Sequence, residues 1–138
     1  MTINISREHI EKIKGHAIEV FPNECCGILG GSLKTKKVKK LIITNNKFEE
    51  SKHNRFVISP LDFKKTDEQL KKSNQEIIGF FHSHPNHDGI PSKYDLEQAL
   101  PIYSYIIISI KNKKFDHIKS WVLKNDRSKF MEEEIVTK

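Results

Sequence analysis

Amphipathic segments along the chain predict helices that each bury one face. Ile13, Ala17 and Phe21 recur every four residues, close to the period of a helix. Ser59–Pro60 opens a second helix, because a capping hydroxyl followed by proline is typical of a first helical turn. The predicted helices cover residues 6–21, residues 59 to about 73, and, as a short element, residues 92–100.

Shorter apolar runs, bounded by Gly, Pro or Asn, predict strands. They cover residues 25–29, 38–44, 55–58, 77–84, 103–110 and 115–123, and the tail from residue 128 is expected to form a last helix or strand. Helices interspersed with strands predict an α/β or α+β domain built around one sheet. The order of the strands in that sheet does not follow from the pattern.

The chain has 138 residues, about the length of one compact domain. It contains no linker, internal repeat or low-complexity stretch, so we predict a single domain over residues 1–138. That length excludes a TIM barrel and a two-domain dinucleotide enzyme. No apolar run approaches the ~20 residues of a membrane span, and the N-terminus lacks the layout of a signal peptide. We expect a cytoplasmic protein that does not contact membranes.

Basic residues outnumber acidic ones by 24 to 18, which gives a formal net charge of +6. The lysines lie in separate segments, and only three of the basic residues are arginine, the residue favoured for phosphate and guanine contacts. We therefore expect an ordinary solvated surface rather than a nucleic-acid interface. An acidic protein partner remains compatible with this charge.

Two cysteines, Cys25 and Cys26, are adjacent in the sequence. Neighbouring side chains on a strand point to opposite faces, so the pair is poorly placed for a disulfide. The CxxC spacing of a zinc knuckle is also absent. The pair agrees with a reducing compartment, and its role stays open between small buried side chains and redox control.

The most informative chemistry lies at His82–Ser83–His84–Pro85. On a strand, His82 and His84 project from the same face, roughly 7 Å apart at Cα. Two neutral imidazoles at that spacing can converge on one Zn²⁺. Taken alone, however, such a pair is more typical of two polar residues at the end of a strand.

Five further polar residues have ordinary interpretations when each is considered alone. Ser92 and Asp95 fit a helix cap, although a carboxylate in a first helical turn can also point outward to a metal. Glu24 by itself is typical of an exposed surface glutamate. His87 and Asp88, in the loop after the histidines, are more typical of a solvated loop than of a metal or substrate site.

Together these residues resemble the signature of the JAMM (MPN-domain) metalloprotease family. That signature is a Glu near the first strand, then H-[ST]-H-P, a Ser after seven intervening residues, and an Asp three positions later. The chain has Glu24 within PNECCGILGG, then His82–Ser83–His84–Pro85, then Ser92 and Asp95. The resemblance extends from the first helix to about Trp121, nearly the whole chain.

The resemblance implies a single MPN-type domain with one curved mixed sheet flanked by helices, and one Zn²⁺ per chain. It makes His82, His84 and Asp95 the metal ligands. It makes Glu24 the general acid/base that activates the zinc-bound water, and Ser92 the donor that steadies the oxyanion. Three protein ligands with an open fourth position are the catalytic rather than the structural arrangement of zinc.

The resemblance also implies a function, a zinc metalloprotease of the minimal prokaryotic type. It would cut isopeptide or peptide bonds after the C-terminal Gly-Gly of ubiquitin-like or sulfur-carrier proteins. The alternative is a non-catalytic MPN scaffold in a protein assembly. The identity of the carrier, the choice between isopeptide and linear bonds, the archaeal or bacterial pathway and the formation of a homodimer stay open.

Overall fold

The computed structural model describes residues 1–44 and 59–137. The predicted strand over residues 55–58 lies outside the described residues. Within them, three helices and seven strands follow one another along the chain: β1 (Thr2–Asn4), α1 (Arg7–Val20), β2 (Cys26–Ser32), β3 (Lys37–Thr44), α2 (Pro60–Lys71), β4 (Glu76–Pro85), α3 (Lys93–Gln98), β5 (Ser104–Lys111), β6 (Lys114–Leu123) and β7 (Phe130–Val136).

Helices α1 and α2 each begin directly after a serine whose side chain caps the first turn. Ser6 caps α1 by accepting a hydrogen bond from the His9 backbone N–H, and Ser59 caps α2 by accepting one from Asp62 N–H. Each cap satisfies a backbone donor that has no partner within its helix. The predicted starts of both helices are therefore confirmed, and the tail predicted as a helix or strand forms strand β7.

The seven strands close into a barrel in the order β1-β3-β2-β4-β5-β6-β7. The prediction of a curved sheet flanked by helices is therefore wrong, because the sheet closes into a barrel. Its mixed character is confirmed, because β4 and β5 run parallel while β2–β3 and β5–β6 run antiparallel. Closure depends on β1, which pairs with β7 at three positions and with β3 at one. At three residues, β1 is too short to leave a periodic signal in the sequence.

The central strands β2, β4 and β5 carry helices on both faces. One face packs with Ile10, Ile13 and Ala17 of α1 in a cluster that includes Phe81. The other face packs with Leu70 of α2. No helix among the described residues is both long enough and apolar enough to cross a membrane.

Close packing between β2 and β4 requires a glycine near the histidines. A Cβ at Gly27 would lie 2.1 Å from the ring of Phe81, far inside van der Waals contact. Cys26, the residue before it, pairs with His82 across the two strands. The glycine thus lets β2 lie tightly against the strand that carries both histidines.

Candidate metal centre

Strand β4 places both histidines at one end of the barrel. His82 lies between its strand partners Cys26 of β2 and Ile107 of β5, and it is 1% exposed. His84 follows two positions later, and the Nε2 atoms of the two rings are 3.2 Å apart. The alternation of the strand thus brings the two imidazoles together.

Helix α3 brings a carboxylate to the two imidazoles. Asp95 Oδ1 lies 3.3 Å from His82 Nε2, and Asp95 Oδ2 lies 3.3 Å from His84 Nε2. The same carboxylate closes a capping box, because Ser92 N–H donates to Asp95 Oδ2 at 2.8 Å and Asp95 N–H donates to Ser92 Oγ at 3.1 Å. The cap interpretation and the ligand interpretation of this motif therefore coexist in one structure.

The spacing of the three donor groups fits a tetrahedral metal ion. Donor atoms about 2.0–2.1 Å from a tetrahedral zinc are separated from one another by about 3.3–3.4 Å. The two imidazole nitrogens are 3.2 Å apart, and each lies 3.3 Å from one of the two oxygens of Asp95. These three residues form a group that could hold a metal ion. Two nitrogens and one oxygen are also the donor types that zinc accepts in proteins.

The protonation states of this group suit a cation. Burial lowers the pKa of His82, against the opposing effect of Asp95, and thereby favours the neutral imidazole that binds metals. Burial acts to raise the pKa of Asp95, but the imidazoles and the Ser92 N–H outweigh it and hold that pKa well below its usual range. The carboxylate is thus ionised beside a neutral ring.

Glu24 lies beside this group in the segment between α1 and β2. It is 4% exposed, so the interpretation that Glu24 has when it is taken alone, an exposed surface glutamate, is wrong. Burial, with a second contribution from the Asp95 carboxylate, raises the pKa of Glu24 to about 9. Glu24, His84 and Ser92 line the same cavity of about 300 Å³, so a carboxyl group able to hold a proton near neutral pH faces one of the candidate ligands.

Ser83, which the sequence analysis did not single out, holds the segment that carries Glu24. Its Oγ accepts a hydrogen bond from Cys25 N–H at 2.8 Å, and its own N–H donates to the Cys25 carbonyl at 3.1 Å. Ser83 is 1% exposed. A small hydroxyl between two histidines on an otherwise apolar strand is the signal that could have identified it.

Ser92 is an exposed residue. Its hydroxyl oxygen accepts from Asp95 N–H, and a hydroxyl that accepts one hydrogen bond keeps its own hydrogen for another partner. The structure therefore leaves Ser92 able to donate into the cavity that it shares with Glu24.

A second acidic group, formed by Asp88, Asp116 and His117, already contains a cation. Lys111 Nζ lies 2.6 Å from Asp88 Oδ1 and 3.7 Å from Asp116 Oδ2. The Nε2 atom of His117 accepts a hydrogen bond from Gly89 N–H. The two carboxylates of this group therefore already share one cation that the chain itself supplies.

Comparison with known families decides what kind of protein carries this centre. Residues 6–124 match the family described as prokaryotic homologs of the JAB domain. The chain belongs to that family. The match spans α1 to the end of β6 and so includes all five candidate site residues. The prediction of a JAMM/MPN-family member is confirmed.

Three curated relatives are enzymes by name. A desampylase of Haloferax volcanii is 30% identical over 78% of this chain and 80% of its own length. A desampylase of Pyrococcus furiosus is 32% identical over 82% of this chain and 75% of its own. A probable TtuB-protein conjugate cleaving protease of Thermus thermophilus is 23% identical over 78% and 70%. The prediction that the chain is an enzyme, a peptidase of the JAMM type, is confirmed by these relatives.

Solved structures share the fold. A protein from Desulfitobacterium hafniense, DSY2949, is 31% identical, with a TM-score of 0.84 over 100% of this chain and 93% of its own. The JAB1/MPN domain protein AF2198 from Archaeoglobus fulgidus is 23% identical, with a TM-score of 0.59 over 97% and 99%. The closed barrel described above is thus an MPN-type fold.

Proposed function

We propose that this chain is a zinc-dependent protease that cuts after the C-terminal Gly-Gly of ubiquitin-like or sulfur-carrier proteins, at an isopeptide or a peptide bond. The observation that carries the proposal is the tetrahedral spacing of two imidazole nitrogens and a carboxylate, at 3.2–3.3 Å, beside a buried glutamate. Three protein ligands leave one coordination position for the reaction, as in catalytic zinc sites.

His82, His84 and Asp95 would hold one Zn²⁺ per chain. When bound there, zinc supplies a Lewis acid that polarises the scissile carbonyl and lowers the pKa of water to ~7. The rigidity of the ligand set supports this assignment, because both histidines come from one central strand and the aspartate from a capped helix.

Glu24 would be the general acid/base. It would take a proton from the attacking water and donate it to the nitrogen of the leaving group as the C–N bond breaks. The amine then leaves as a neutral molecule. The burial of Glu24, which is 4% exposed, and its place in the cavity that it shares with His84 support this role, because they hold the carboxyl group beside the candidate ligands. The cavity that it shares with Ser92 gives water access to this group.

Ser92 would stabilise the negative charge that develops on the carbonyl oxygen. Its hydroxyl oxygen is fixed by Asp95 N–H, which leaves the hydroxyl hydrogen as a positioned donor. Donors of this kind contribute about 3 kcal/mol to the transition state in other hydrolases.

The substrate part of the proposal is supported by the relatives and by charge. The names of the curated relatives refer to conjugate cleavage or to desampylase activity. A Gly-Gly tail lets the backbone approach a recessed site closely. The net charge of +6 favours a carrier with an acidic surface, mainly by speeding encounter.

The test is mass spectrometry of a folded carrier that is extended past Gly-Gly or linked there to lysine, incubated beside denatured casein. We expect cleavage after Gly-Gly only, with a rate at limiting substrate that falls as salt rises from about 50 to 500 mM. Efficient casein digestion without a cut after Gly-Gly would indicate a general protease. Zinc binding without any cleavage would indicate the scaffold alternative.

A further inference from the structure

The loop between β4 and α3 contains a peptide group that is held at both ends by imidazoles. The carbonyl oxygen of Asp88 lies 2.8 Å from His84 Nδ1. The amide nitrogen of Gly89, in the same peptide group, lies 2.8 Å from His117 Nε2. We call this group the relay peptide. A carbonyl oxygen only accepts hydrogen bonds and an amide N–H only donates them, so His84 donates from Nδ1 and His117 accepts at Nε2.

These contacts define which ring nitrogen of each histidine carries its hydrogen. With its Nδ1–H engaged by the relay peptide, His84 presents Nε2 to the metal centre, 3.2 Å from His82 Nε2 and 3.3 Å from Asp95 Oδ2. His117 carries its hydrogen at Nδ1, which lies 2.6 Å from Asp116 Oδ2. Every donor in this chain of hydrogen bonds therefore faces an acceptor.

Strand β6 holds the same loop at a second point. Trp121 Nε1–H donates to the Gly89 carbonyl at 2.8 Å, so both backbone polar groups of Gly89 are bound by side chains of one strand. His117 and Trp121 occupy alternate positions and share a face of β6. A Cβ at position 89 would lie 3.2 Å from His117 Nε2 and 3.2 Å from the Ile107 carbonyl, so this close approach favours glycine.

We propose that His117, Asp116 and Trp121 are positioning residues of the metal centre, which act on His84 through the relay peptide. This inference rests on the proposed zinc site. Hydrogen bonds in a chain polarise one another, so the Asp116 carboxylate strengthens the acceptor that engages His84 Nδ1–H. The carbonyl in turn orients the His84 ring and raises the basicity of Nε2, as outer partners of metal-bound histidines do.

The three positioning residues should contribute unequally to zinc binding, because they differ in solvent exposure and in contact with the loop. His117 and Trp121 contact the loop directly, whereas the side chain of Asp116 is 44% exposed and its charge is screened by water. We therefore expect loss of the His117 acceptor to matter most and loss of the Asp116 charge to matter least.

The experiment measures the zinc dissociation constant of the full chain by competition with a chromophoric chelator. His117→Ala should weaken zinc binding about 10- to 100-fold, the usual effect of removing an outer partner of a ligand. His117→Gln, whose side-chain oxygen can still accept from Gly89 N–H, should recover most of that loss. Lys119→Gln, on the same face between His117 and Trp121, is the matched control and should bind zinc as the wild type does.

A second measurement separates positioning from general destabilisation. Nitrogen-15 NMR of the metal-free protein should show His84 with its hydrogen at Nδ1 in the wild type and a mixture of tautomers in His117→Ala. If His117→Ala does not fold, zinc binding is measured on Trp121→Phe instead. This variant keeps an aromatic ring but loses the N–H donor, and we expect its zinc affinity to be severalfold weaker than that of the wild type.

Two outcomes distinguish failure of this inference from failure of the metal centre. If His84→Ala weakens zinc binding while folded His117→Ala binds zinc as the wild type does, the relay is overturned and the metal centre stands. If His84→Ala itself leaves zinc binding unchanged, both proposals are overturned.

Discussion

Two buried carboxylates, Asp95 at the metal centre and Glu133 on β7, meet very different partners. Glu133 is 1% exposed; it forms an ion pair with Lys36 Nζ and accepts a hydrogen bond from Ser120 Oγ at 2.8 Å. Asp95 lies against the imidazoles of His82 and His84 instead. A buried charge needs compensation, and for Glu133 a lysine of the chain itself provides it.

The comparison separates a structural carboxylate from a ligand. At Glu133 the compensating cation is the side chain of Lys36. This carboxylate therefore does not need a metal ion to balance its charge. At Asp95 the neighbouring groups are lone-pair donors that converge with the carboxylate, an arrangement that a divalent cation stabilises. The predictions below test this difference from the largest expected effect to the smallest.

Removing a ligand should empty the metal centre. His82→Ala and Asp95→Ala should reduce the zinc content from a ratio near one per chain to near zero after dialysis, as measured by elemental analysis, and abolish cleavage. Glu133→Gln is the matched control at the other carboxylate and should keep its zinc. If the wild type still contains almost no zinc per chain after zinc is supplied, the interpretation as a zinc enzyme is contradicted.

Removing the internal cation should affect stability rather than metal binding. Lys36→Met leaves the Glu133 carboxylate buried without its charge partner, and breaking such a pair is strongly destabilising. Since the Lys36 side chain is 26% exposed, we expect a loss of about 2–3 kcal/mol in the free energy of unfolding by urea titration. The double variant Lys36→Met/Glu133→Leu should recover most of this loss, and zinc affinity should be unchanged in both.

Changing Glu24 should separate chemistry from metal binding. Glu24→Gln keeps the size and hydrogen-bonding capacity of the side chain but cannot transfer a proton. Zinc should stay bound and turnover should fall by at least ~10²-fold, measured as initial rates on the carrier conjugate. Turnover equal to that of the wild type would mean that another group moves the proton.

The same variant should be more stable than the wild type when metal is removed. The pKa of Glu24 is raised from 4.5 to about 9 in the folded protein, so between these pH values the folded chain keeps a proton that the unfolded chain has lost. Stability of the wild type therefore falls as pH rises through this interval. In chelator, Glu24→Gln should melt about 3–8 °C higher at pH 8 and nearly equally at pH 4.5; parallel melting curves across this range would contradict the burial of a protonated carboxyl group.

The smallest effect on stability is expected at the capping box. Ser92→Ala removes the helix cap, with a cost of about 1 kcal/mol, and also removes the proposed oxyanion donor. The rate per folded molecule should therefore fall while zinc is retained and KM changes little. A variant that is only less stable, with an unchanged rate, would leave Ser92 as a cap alone.

Local signals predicted the elements that local chemistry determines. Each of these signals spans only a few residues of sequence. They are the helix caps at Ser6 and Ser59 and the spacing of His82 and His84, and the structure places them as expected. The roles at the metal centre came from the family resemblance and stay proposals, but the resemblance did lead to residues that the fold brings together.

Features that depend on contacts distant in sequence could not be predicted. Barrel closure requires three residues of β1 to meet strands that lie far along the chain. The burial of Glu24 depends on packing against the β4 end of the barrel, and the relay peptide joins Gly89 to His117, 28 positions later. None of these three features leaves a periodic or compositional signal in the sequence around the residues involved.

The short strand β1 has a consequence for how copies of this protein are expected to behave in concentrated solution. Thr2, Ile3 and Asn4 cover the edge of β7 by pairing with residues 134–136. An uncovered strand edge offers unpaired N–H and C=O groups to any other strand that meets it, which is a common start of aggregation. We therefore expect these three residues to protect the protein against edge-to-edge association, and a change that detaches them to be seen first as loss of solubility.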